Sequence, residues 1–110
     1  MPKKSKSEKE KEGLFWGKIF ATKFNLVIAI CDKEIINKKL DYKNVKVKIS
    51  KNFYGERVID ETTALSLMKR ATIGNLIGKR IIKLAKKHDF ITKENIISIG
   101  GIPHAQFVKI

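Results

Sequence analysis

A chain of 110 residues, 43% of them hydrophobic, has enough apolar matter for one core and needs no disulfide or metal to hold it. A single cysteine, Cys31, excludes an internal disulfide, and the longest apolar run, residues 26–31, is far too short to span a membrane. The formal net charge of +13 points to a polyanionic partner, nucleic acid above all, although a Lys- and Ile-heavy composition accounts for it as well: only Arg57, Arg70 and Arg80 among the 24 basic residues are Arg.

Residues 1–13 are Lys, Glu and Ser with no apolar side chain after Pro2, so they predict a mobile basic tail outside the fold. Lys18 interrupts the only stretch that could act as a signal core, which predicts a cytoplasmic protein with no membrane contact. Residues 14–110 then form a single domain. Its first element is a β-hairpin, with strands over 14–21 and 26–32 and a turn over 22–25. Phe24, Leu26, Ile28 and Ile30 face one side; Val27, Ala29 and Cys31 face the other. Both faces are apolar, the mark of a central strand covered on both sides. Cys31 reads as a small buried hydrophobe. Trp16 is too isolated to assign beyond core or hairpin packing.

Residues 32–44 read as a polar connection anchored by Ile35, Ile36 and Leu40. Residues 45–49 alternate cleanly: Val45, Val47 and Ile49 face a core, while Lys46 and Lys48 face water. Outward lysines guard a sheet edge or contact phosphate. Phe53 and Tyr54 form an aromatic turn that plugs the core or stacks on a base. Asp60 caps the next helix, with Glu61 in its first turn, and Ala64, Leu65, Leu67, Met68 and Ala71 form its buried stripe. Lys69 and Arg70 suit the dipole at its end.

A second helix is predicted over residues 73–88. At 100° per residue, Ile73, Leu76, Ile77, Ile81, Leu84 and His88 form one buried face. Gly74 and Gly78 cost such a helix about 1 kcal/mol each, offset by close approach to the sheet over Ala29 and Cys31. Lys79, Lys83 and Lys86 cluster on a third side, flanked by Arg80 and Lys87. Ile82 falls opposite the buried stripe and marks a protein-contact position if exposed. Residues 96–99 form a strand, Gly100 and Gly101 a turn, and residues 105–110 a return strand. His104, after Pro103 and before Gln106, is the residue of this loop that hairpin geometry does not explain.

The pattern resembles a family of small archaeal proteins, the domain of unknown function four hundred and twenty-four. The resemblance rests on residues 27–32 (V-I-A-I-C-D), 53–55 (F-Y-G), 71–78 (A-T-I-G-N-L-I-G), 95–99 and above all 100–106 (G-G-I-P-H-A-Q), and it covers about residues 17–110. It implies a cytoplasmic archaeal protein and no catalytic residue.

The predicted fold is α+β, a single domain of about five mostly antiparallel strands with two helices packed on the sheet, in the order ββ-β-αα-ββ. The predicted function is that of a non-enzymatic accessory RNA-binding protein in translation, with rRNA and ribosomal proteins as partners and no cofactor or metal. The nucleic-acid surface is Lys79, Arg80, Lys83, Lys86 and Lys87 with Lys46 and Lys48. A second candidate site is the loop of Gly100, Gly101, Pro103, His104 and Gln106. A small enzyme using His104 with Asp32 or Asp60, and a protein-interaction module, are the alternatives.

Overall fold

The structure is a computed structural model that describes residues 14–110; the tail expected at 1–13 lies outside them. Eight strands and three helices follow in chain order: β1 (Phe15–Ala21), β2 (Leu26–Asp32), β3 (Lys39–Tyr42), β4 (Val45–Lys48), α1 (Lys51–Tyr54), β5 (Arg57–Ile59), α2 (Glu61–Arg70), β6 (Ile73–Ile77), α3 (Lys79–Lys87), β7 (Ile96–Ile99) and β8 (Ile102–Val108). Six strands form one mixed sheet in the order β5-β1-β2-β6-β8-β7, and β3 and β4 form a separate hairpin. Among the described residues only β2 and β6 run parallel; the other pairs are antiparallel. The α+β class holds, with more strands than the sequence pattern gives.

Two cores lie on the two faces of the sheet. Ile28, Ile30, Leu76, Ala105 and Phe107 meet Ala64, Leu67 and Met68 of α2 and Ile81, Leu84 and Ala85 of α3. On the other face, Ala29, Cys31 and Ile77 meet Ile35, Leu40, Ile49 and Tyr54. This second cover is made by a turn, the β3–β4 hairpin and the one-turn α1, so it is small. Asp60 caps α2 by accepting the Thr63 N–H at 2.8 Å, as its sequence position predicts. At the other end of α2 the Lys109 Nζ donates to the carbonyls of Met68 and Lys69, closing two orphan acceptors.

The expected helix over 73–88 is divided. Residues 73–77 are a strand at the centre of the sheet, and Gly78, with φ 126° and ψ 149°, turns the chain into α3. That φ is open to glycine and strained for an L-residue. Gly74 therefore does not serve helix–sheet contact. It sits opposite Phe107 on β8, and a Cβ there would collide with the phenyl ring. His88, expected on the buried face, is the exposed C-cap of α3, and Ile82, expected outside, is buried. Extending one helical phase across Gly78 puts Ile82 on the wrong side, whereas His88 is exposed because α3 ends at Lys87, just before it. Val45 and Phe24, expected to face the core, are 59% and 81% exposed; Val45 pairs with Tyr42 at the tip of the β3–β4 hairpin, and Phe24 lies in the β1–β2 turn.

Candidate nucleic-acid interface

The lysine face of α3 depends on a buried carboxylate that sequence reading did not single out for this role. Asp32 ends β2 at 2% exposure, directly under the start of α3. Its Oδ2 accepts the Arg80 N–H and its Oδ1 the Ile81 N–H, each at 2.9 Å. Those are two of the donors a helix start leaves unpaired, and a carboxylate there also suits the helix dipole. Gly78 makes room, because a Cβ at that position would strike the Asp32 carboxyl. Burial, the largest influence, pushes the Asp32 carboxyl above its ordinary value; the Arg80 and Ile81 N–H groups pull it back. The local signal in the sequence is a lone acid closing an apolar strand, V-I-A-I-C-D, which says that a partner is needed but not which.

Arg80 leaves the exposed face to serve this junction. Its guanidinium bonds Glu34 and the Leu14 carbonyl and lies over the Phe15 ring at 5.1 Å. Hydrogen bonding from Arg80, more than any other influence, holds the Glu34 carboxyl below its ordinary value. Arg80 is thus a structural cation first. Lys79, Lys83, Lys86 and Lys87 remain exposed, spaced four, three and one residues apart on one side of the helix. Among the described residues none of the four forms an ion pair. No Asp or Glu occurs between Glu61 and Asp89, a stretch that also carries Lys69 and Arg70 at the end of α2.

Lys46 and Lys48 do not join this surface. They belong to the β3–β4 hairpin, which covers the opposite face of the sheet, and Lys46 pairs with Asp41 at 2.6 Å. The seven basic residues therefore do not share one face: α3 carries one group, and the hairpin lysines lie on the other side of the sheet.

The second candidate site is also rearranged. Gly100 and Gly101, at φ 55° and 83°, make the two-residue turn of the β7–β8 hairpin. Pro103, His104 and Gln106 lie inside β8, not in the loop. His104 is half-buried beside Ile77 and Ile97, on the sheet face opposite Asp32, and burial lowers its imidazole pKa. Asp60 follows β5, four strand spacings from β8, or about 19 Å. Neither expected acid–base pair is assembled. Cys31 is fully buried, and its thiol is pushed up to about 12, chiefly by burial. No cluster of three or more metal-ligating side chains occurs among the described residues. No helix among them is long and apolar enough to cross a membrane.

The family model described as "Protein of unknown function (DUF424)" matches residues 20–110, and the chain belongs to that family. Among solved structures it is similar to the crystal structure of an uncharacterized conserved protein from Methanopyrus kandleri, at TM-score 0.74 and 21% identity. The alignment covers 88% of this chain and 94% of that one, so it shows a shared fold. No match is found among curated proteins.

Proposed function

We propose that this member of the DUF424 family is a non-enzymatic, cytoplasmic RNA-binding accessory protein of translation, and that the solvent face of α3 is its phosphate-contacting surface. The observation that carries the reading is the row of Lys79, Lys83, Lys86 and Lys87 on one rigid helix, with no carboxylate pairing them among the described residues. Cations held together on a helix displace counterions from RNA together, so their contributions add and fall with salt. Arg80 contributes by anchoring the helix rather than by facing the ligand.

Filter binding to structured rRNA fragments at moderate salt tests this. Lys79→Glu, Lys83→Glu and Lys86→Glu together should weaken binding far more than deletion of residues 1–12. They should also flatten the log-affinity against log-salt slope by about 0.7 to 0.9 per lost phosphate contact. Affinity no better than that of an unrelated protein of equal charge would sink the reading, as would a triple variant that binds normally.

A further inference from the structure

The sheet face opposite α2 and α3 is only half covered. The hairpin and α1 lie over the end marked by Cys31, Ile77 and Ile102. The other end is open. There Gln106 is exposed, Asn75 is partly exposed and Val108 is 61% exposed, while His104, in register with Ile77, borders the covered end and is itself partly exposed. Alternation along the strands puts Lys18, Phe20, Asn75, His104 and Gln106 on this one face. Asn75 stands directly opposite Gln106 across the β6–β8 pair, and His104 is two residues from Gln106 on the same strand. At the β1 side Phe20 packs on Phe53 with ring centroids 5.4 Å apart, and Phe53 keeps 39% of its surface exposed.

We propose that this open face takes the unpaired bases of single-stranded RNA, stacked on Phe53 and Phe20 and read at their edges by Asn75, His104 and Gln106. It rests on the RNA reading above but names a different surface and a different part of the ligand. Three observations select this occupant. The three polar side chains make no hydrogen bond among the described residues, although together they offer donors and acceptors that match base edges. Burial lowers the His104 imidazole pKa and so favours the neutral ring, which carries one donor and one acceptor nitrogen. The strands contribute no carboxylate to this face, and its charged residue, Lys18, lies over the Phe20 ring at 5.0 Å. A polyanion is thus admitted, whereas a second copy of a chain of charge +13 is repelled. From β1 to β8 the face spans three strand spacings, about 14 Å, enough for two or three bases in the manner of sheet-bound single strands.

The experiment uses the full chain, an 8-nucleotide RNA carrying 2-aminopurine, and a 12-base-pair RNA duplex. The variants are Phe53→Leu with Gln106→Ala, which keeps apolar volume at position 53 but removes the ring, and Phe53→Tyr as a stacking-competent control. Circular dichroism and melting confirm the fold. The expected result is quenching of 2-aminopurine by the wild type and by Phe53→Tyr. The double variant should lose that quenching and about tenfold or more in single-strand affinity. Its duplex affinity and salt slope should be unchanged, since α3 is intact. If the double variant binds and quenches like the wild type while duplex binding persists, this proposal falls and the α3 reading stands. If neither RNA binds, both fall. A dimer seen by sedimentation that the double variant abolishes would assign the face to self-association and overturn the proposal.

Discussion

Removing the Asp32 carboxylate should cost more stability than any other single acid in the fold. The side chain is 2% exposed and accepts two backbone N–H groups at 2.9 Å, with the Arg80 Nε 4.0 Å away. Hydrogen bonds to a charged acceptor contribute about 1.5 to 3 kcal/mol each, so the two lost bonds cost about 3 to 6 kcal/mol. Burial already opposes ionisation of Asp32, which returns part of that sum. The expected loss for Asp32→Ala is about 3 kcal/mol, a large fraction of the roughly 5 to 15 kcal/mol that holds a domain of this size. Asp32→Asn keeps one acceptor but turns an amide toward the second N–H, so about 2 kcal/mol is expected. Glu34→Ala serves as the comparison, because Glu34 shares Arg80 but its side chain is 61% exposed; it should cost under about 1 kcal/mol. Urea denaturation followed by Trp16 fluorescence measures all three, with a common slope as the check on two-state unfolding. A loss below about 1 kcal/mol for Asp32→Ala, or equal losses for Asp32→Ala and Glu34→Ala, would refute the capping role.

Gly78→Ala should destabilise by about 2 kcal/mol or more, since it places a Cβ against the Asp32 carboxyl at φ 126°; a melt unchanged from wild type would contradict the geometry. Gly74→Ala should cost about 1 to 3 kcal/mol through overpacking on Phe107, and Phe107→Leu in the same chain should recover part of it in a double-mutant cycle. His104 should titrate below its ordinary 6.5 by NMR. Because the folded value is depressed, its stabilising contribution is complete above about pH 6.5 and is lost as pH falls through the folded value, a dependence that His104→Gln should remove. Cys31 should resist a thiol reagent at pH 8 in the native state and react fully in urea, and rapid native labelling would contradict its burial.

The legible parts of this fold are those whose causes are local. The β1–β2 hairpin, the Asp60 cap, the buried stripe of α2 and the Gly100-Gly101 turn each announce themselves through alternation, a capping side chain or a residue suited to positive φ. β3 was silent because only Leu40 of its four residues is buried, and its turn uses Lys43 and Asn44 at positive φ without a glycine. β6 is the element that the pattern hides. Ile73, Leu76 and Ile77 fit a helical phase that continues into Ile81 and Leu84, and a five-residue strand flanked by neighbours on both sides carries no period of its own. The contrary signal was present as energy: two glycines in one helix, each costing about 1 kcal/mol, with no local gain. The lysine face survived the error because its residues lie beyond Gly78, where the helix is real. The polar group on the open sheet face did not, because Asn75 stands beside Gln106 only when residues 73–77 pair with β8. Whether Asn75 and His104 share a surface is therefore decided by strand register, a tertiary fact, and the same register separates His104 from the Asp32 carboxylate by a full thickness of the sheet.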